Sequence, residues 1–328
     1  MREEDPSDPG RERRARLGQG RDACARSGRS ARRRAAPSSR GWAWLALIAM
    51  LLPLIGWASP VTTEHVRAEL ISERERVAPG TSVTLALALD IQPGWHTCWR
   101  NPGDSGEAPR ILWALPPGVA VSQIRWPHPE LIRVGPLANH GYSGRALHLV
   151  SLSVPPGWPA GTPIPVRAQA HWLVCAEHCV PESGALELRL TTAETAGPED
   201  ATSAAVIAEA EKELPRGPLR RARLGEHGTG LRLSIPLAEN PALGLDPSAS
   251  LWFFAGRWGL IEHAAEQPWR LGTDRLEIDP TRGAQAAMVE PEGVLVITGG
   301  DGTTTAFELS AERGLPPGRQ SIPSRPRT

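Results

Sequence analysis

Between Val61 and Leu190 apolar residues recur in short runs with a period of two. "HVRAELIS", "SVTLALALDI", "PRILWALP", "RALHLVSLSV", "IPVRAQAHWLV" and "GALELRLTT" are each long enough for one strand, and "APGTS", "PPGV", "PPGWPAGTP" and "PESG" supply turns between them. Residues two apart on a strand share a face, and no helical period intervenes. The pattern therefore predicts an antiparallel β-sandwich over residues 59–194. In the second run Val83, Leu85, Leu87 and Leu89 make one buried face, while alanines on the other leave the strand dry on both sides.

After a linker-like "TAGPED" the period changes. Over residues 200–214 the sequence predicts a helix capped by Asp200 or Thr202, with Val206, Ile207, Ala210 and Leu214 on one stripe and Pro215 as its stop. The strand pattern then resumes in "GLRLSIPL", "SLWFFAG", "DRLEIDP", "EGVLVITGG" and "TTAFELSA". The expected architecture is all-β: a sandwich domain (59–194), a linker and helix (195–219), and a smaller β domain (220–313). A Pro- and Arg-rich tail (314–328) is expected to be disordered.

The first 58 residues follow another logic. An arm with no apolar periodicity leads into "GWAWLALIAMLLPLIGWAS", a basic flank followed by an apolar run and small residues, in the order of an export signal cleaved after Ala58. An uncleaved membrane anchor is the alternative. The stretch ahead of Arg32 reads as a mis-called start, and Cys24 is given no role. Removing this segment leaves no second long apolar run, so the mature protein is expected to be soluble and periplasmic. The segment holds 12 of the 36 Lys and Arg but 6 of the 36 Asp and Glu, leaving 24 basic against 30 acidic residues and a net charge of −6. A net-acidic chain offers no basic footprint for nucleic acid.

Three cysteines follow the export signal: Cys98, Cys175 and Cys179. Cys175 and Cys179 lie at the junction of two predicted strands, "AQAHWLV" and "GALELRL", so they face each other across the end of a hairpin with Ala176, Glu177 and His178 between them. Such a loop can bring two cysteines within disulfide range. It gains little from cross-linking, because the stabilisation grows with loop length. Protonated His178 would favour a thiolate next to it; Glu177 and apolar surroundings would oppose it. Three readings stay open on spacing alone: a redox-active pair, a structural bridge, or a soft metal site. In the last, Cys175, His178 and Cys179 would bind Cu(I) or Zn(II), joined by Cys98, His96 or His171.

Two further stretches are unusual for a plain sandwich. "PGWHTCWRNPGDSGEAPRILW" places His96 and two tryptophans beside a Gly-, Pro- and Asp-rich loop, and "WPHPELIRVGPLANHGYSG" holds Asn139 and the sole tyrosine, Tyr142. Aromatic groups at loop edges can shield a disulfide from unwanted thiols. Trp113 and Trp126 are read as core. His96, Asn139 and Tyr142 are equally compatible with core packing and with support of the cysteine pair.

Taken together and in this order, "GWHTCWRNPGDSG", "WPHPELIRVGPLANHGYSG" and "HWLVCAEHCVPESG" resemble the N-terminal periplasmic region of DsbD-type thiol:disulfide interchange proteins, in particular their suppressor-of-copper-sensitivity branch, ScsB. The likeness spans residues 62–192 and extends more loosely to about residue 311. It implies an immunoglobulin-like fold whose cysteine pair, matching Cys175 and Cys179, takes electrons from a membrane-embedded thiol reductase and passes them to thioredoxin-like periplasmic proteins. No cofactor is implied, because sulfur holds both electrons; Cys179 is expected to attack first.

This sequence departs from the pattern at two points. Cys98 stands where the family commonly has an aromatic residue, so this thiol is either inert or an added metal ligand. Full-length family members also continue into membrane spans and a thioredoxin-like domain. The expectation here is a separately encoded membrane partner, a truncated relic or a binding module.

Overall fold

The computed structural model describes residues 60–246 and 248–314. The Arg-rich arm, the segment predicted as an export signal, Cys24 and nearly all of the C-terminal tail lie outside them. Two sheets build the first sandwich. One runs in the order Val61–Thr62, Val66–Ser72, Ser82–Ile91, Arg145–Ser153, Ala120–Val121. The other runs Arg76–Val77, Cys179–Thr192, Pro163–Cys175, His96–Gly103, Leu137–Ser143, Glu130–Val134, with Arg110–Ala114 also paired to Pro163–Cys175.

The alternation along Ser82–Ile91 determines what fills the space between these sheets. Val83 and Leu85 meet Ile164, Val166 and Leu190, and Leu87 and Leu89 belong to a cluster with Trp172 and Val174. Each fully buried leucine contributes about 1.5–3 kcal/mol through removal of its apolar surface from water. The opposite face of the same strand is also dry. Ala86 there, with Leu149 on the neighbouring strand, is covered by Ile207 and Ala210 of the helix Ala201–Lys212. Small alanines on the outer face let a helix lie close. Asp200 caps that helix, accepting a hydrogen bond from the Ser203 amide at 2.8 Å.

The second β region has a sheet ordered Arg216–Leu219, Thr304–Ser310, Glu292–Thr298, Ser250–Ala255. Its other sheet is ordered Trp269–Leu271, Arg275–Ile278, Gly230–Pro236, Arg223–His227, Glu312–Arg313. "LWFFA" and "GVLVIT" read as continuous apolar runs because their sheet is buried on both faces. Phe253, Leu295 and Phe307 point into their own sandwich, while Phe254, Val294, Val296 and Ala306 join the cluster that holds Trp99, Tyr142 and Trp172. Asn101 adds a polar tie, donating from Nδ2 to the Ala255 carbonyl at 2.7 Å. The second region thus packs against the sheet that carries the cysteine hairpin.

Two stretches read from sequence as loop-rich are strands. His96–Gly103 and Leu137–Ser143 pair with each other, with an irregularity between Cys98 and Gly103 where the Gly- and Pro-rich segment bulges out. Polar residues at inward positions, among them Asn101, Asn139 and His140, mask the apolar alternation there.

Candidate functional site

The strands Pro163–Cys175 and Cys179–Thr192 pair without interruption from Pro163↔Thr191 to Cys175↔Cys179, so the cysteines occupy the last rung of the ladder. They are joined as a disulfide, with Cα atoms 4.0 Å apart. The turn Ala176–His178 is closed by a hydrogen bond from the Ala176 amide to the His178 carbonyl at 3.0 Å. The two sulfur-bearing residues differ sharply in surroundings. Cys175 is 1% exposed, backed on its other side by His96, its cross-strand neighbour. Cys179, together with Glu177 and His178, is exposed. Of the two, Cys179 is the one open to solvent and Cys175 the one covered by protein.

The hairpin register places Glu182 directly opposite Trp172, on the inward face. Its carboxylate side chain is 6% exposed. It accepts hydrogen bonds from Thr63 Oγ1, from the His65 amide at 3.0 Å, from His65 Nδ1 at 2.8 Å and from Trp172 Nε1 at 3.3 Å. Burial by itself would raise the Glu182 pKa. The bonds from Thr63, His65 and Trp172 together outweigh it and hold the group below its ordinary range.

His65 sits in the turn between Val61–Thr62 and Val66–Ser72, and its ring packs on Trp95 at a 39° tilt with centroids 3.8 Å apart. Trp95 is presented by a tight turn in which Gly94 has φ +86° and the Trp95 amide donates to the Gln92 carbonyl at 3.1 Å; Pro93 and Gly94 suit such a turn. Trp95 also meets the His178 ring in a T-shaped contact, with centroids 5.6 Å apart at 88°. Glu182, His65 and Trp95 were missed by pattern reading, which took "PESG" as a turn. Counting hairpin register outward from the cysteine pair would have placed Glu182 opposite Trp172.

Of the residues predicted to support the pair, His178 lies in the loop and touches Trp95, Glu177 is exposed beside it, and His96 backs Cys175. Asn139 orients His96. Its Oδ1 accepts from the Ser105 amide at 3.1 Å and the Ser105 hydroxyl at 2.9 Å, which leaves Nδ2 to donate to His96 Nε2 at 3.2 Å. The proton of a neutral His96 then sits on Nδ1, and burial lowers the ring's pKa, favouring that neutral form. Tyr142 is different. It pairs with Thr97 on the opposite face of the strand, donates to the Pro127 carbonyl at 2.9 Å and packs in the sandwich core. It does not join the cysteine site.

Cys98 is fully buried, with Sγ so close to Gly106 that any β-carbon there would collide with it. Burial pushes its thiol up to about 11, so it is protonated at neutral pH. The alternative ligand set of Cys98, Cys175, His178 and Cys179 is not assembled. Among the described residues no three His, Cys, Asp or Glu side chains converge in a metal-binding arrangement.

The architecture is an immunoglobulin-like sandwich that carries a bonded cysteine pair at a hairpin tip, one member buried and the other exposed. Residues 67–191, which contain the couple, match the model of the family described as thiol:disulfide interchange protein DsbD, N-terminal. The fold is similar to the N-terminal periplasmic domain of ScsB from Proteus mirabilis, with 18% identity, TM-score 0.56, and coverage of 78% of this chain and 98% of that one. The reduced N-terminal domain of DsbD from Neisseria meningitidis also matches, with 13% identity, TM-score 0.20, and coverage of 44% and 91%. No curated protein sequence matches the chain significantly. Among the described residues no helix is long and apolar enough to cross a membrane.

Proposed function

We propose that the protein is a periplasmic dithiol–disulfide relay in which Cys175 and Cys179 cycle between the bonded and the reduced state. The observation that carries this reading is the split between an exposed Cys179 and a buried Cys175 within one disulfide. In the reducing half-reaction a donor thiolate attacks Cys179 Sγ. The S–S bond breaks, Cys175 leaves as a thiolate and takes a proton, and a mixed disulfide joins the donor to Cys179. The donor's second thiol then attacks its own sulfur in that bond, releasing reduced Cys179 and an oxidised donor. In the second half-reaction Cys179 attacks an acceptor's disulfide and Cys175 resolves the mixed disulfide, so two electrons pass on. The finer reading supplies the partners by chemistry: a membrane-embedded thiol reductase as donor and thioredoxin-like periplasmic proteins as acceptors, with copper tolerance as the setting. The family match over residues 67–191 supports this reading.

A trapping experiment tests the assignment. Reduced Cys175→Ala, which keeps the exposed sulfur and lacks the resolving one, is expected to accumulate a mixed disulfide with an oxidised thioredoxin-like protein. Cys179→Ala is expected to accumulate far less. Trapping through Cys175 alone, or by neither variant, would contradict the proposed order of attack.

A further inference from the structure

Glu182, His65, Trp95 and His178 form a chain of side-chain contacts that the hairpin backbone from His178 to Glu182 closes into a circuit. It leaves the strand Cys179–Thr192 at Glu182, crosses to His65 through a 2.8 Å hydrogen bond, continues through the tilted His65–Trp95 ring contact and passes from Trp95 to His178, the residue before Cys179. Three segments distant in sequence meet to make it: the turn before Val66, the turn at Gly94, and the hairpin itself. Core packing alone would call for an apolar group opposite Trp172. A carboxylate 6% exposed is instead retained there, with four donors arranged around it. Burying a carboxylate costs several kcal/mol unless such partners offset it. An arrangement of that cost directed at the cysteine loop calls for a role in what the loop does.

We infer that this circuit is a clamp that keeps the Ala176–His178 turn closed in the dithiol form, with Glu182 and Trp95 as its positioning residues. This inference rests on the exchange reading given above. Once the S–S bond is broken, the hairpin ladder, the Ala176–His178 backbone hydrogen bond and the contact of His178 with Trp95 are left to hold the turn. Oxidation by glutathione disulfide consumes two protein thiols and one glutathione disulfide and yields the Cys175–Cys179 bond and two glutathione thiols. Its equilibrium constant measures how effectively one sulfur is presented to the other. A clamp that holds the turn closed raises that constant, making the couple a stronger reductant. Loosening the clamp makes the disulfide easier to reduce.

The experiment is equilibration of the purified protein with glutathione buffers, comparing wild type with Glu182→Gln, Trp95→Leu, their double variant and Trp95→Phe. Each disruptive single variant is expected to lower the equilibrium constant about tenfold, equal to about 30 mV. The double variant is expected to lower it no further than about the larger single effect, because both changes open one circuit. Trp95→Phe retains an aromatic edge and is expected to restore most of the constant. Melting curves on the same samples separate loss of fold from loss of clamp, and Trp95→Phe against Trp95→Leu carries the test should Glu182→Gln fail to fold. Single variants that fold and keep the wild-type constant within about twofold would overturn the clamp while leaving exchange intact. So would independent effects that multiply in the double variant. A wild-type pair inert to glutathione would overturn both readings.

Discussion

His148 lies inside the first sandwich, directly across from Leu87, and is fully buried between Trp126 and Tyr142 with ring centroids 5.1 and 5.3 Å away. Burial is the larger influence on its ring and the neighbouring Leu147 carbonyl only a partial offset, so its pKa falls from 6.5 to about 4. A folded-state pKa below the unfolded one means that the unfolded chain takes up the proton first. The stability is then fully present above pH 6.5 and is lost as the pH falls toward 4. At about pH 5 the unfolded histidine is about 1.5 units below its pKa while the folded one is still mostly neutral, a loss of about 2 kcal/mol.

Replacing His148 with leucine removes this proton and keeps an apolar side chain facing Leu87. Urea unfolding of the oxidised wild type and of His148→Leu, each at about pH 7.5 and about pH 5, gives the difference of differences. His140, pushed down to about 3 by burial and by its neighbour His263, titrates in the same direction in both proteins and cancels. Wild type should lose about 2 kcal/mol more than the variant on acidification. Equal losses in the two proteins would refute the assignment of a neutral, buried imidazole to this position.

Two further changes probe the elements that hold the site in place. A β-carbon at Gly141 would run into the Thr97 carbonyl oxygen of the paired strand. Gly141→Ala should therefore cost about 1–3 kcal/mol in denaturant unfolding by displacing the strand that backs Cys175. Asp200→Ala removes the cap of the helix that covers Ala86 and should lower stability by about 1 kcal/mol in the same assay.

The fold was legible in sequence wherever one face of a strand is apolar and the other polar. Val83 to Leu89 showed both the strand and, through its alanines, the dry outer face that the helix covers. The run "HWLVCAEHCVPESG" showed the hairpin and the position of the pair at its tip. Legibility failed at Asn101, Asn139 and His140, where buried polar groups occupy strand positions that alternation reserves for apolar ones. It failed at Glu182 for a related reason: a buried carboxylate is stabilised by partners 117 and 119 residues away in sequence, and no local pattern reports a contact of that range. Tyr142 stayed open between the two roles in sequence because an aromatic residue near a glycine-rich stretch looks the same whether it faces the site or the core.

The most direct test of the account is a redox titration of the oxidised protein in graded glutathione and dithiothreitol buffers, with free thiols counted by alkylation and mass. The account predicts a reversible two-electron transition confined to Cys175 and Cys179, with Cys98 unmodified in the folded state. A pair that stays bonded through excess dithiol, or that does not re-form its bond when the buffer is made oxidising, would contradict it.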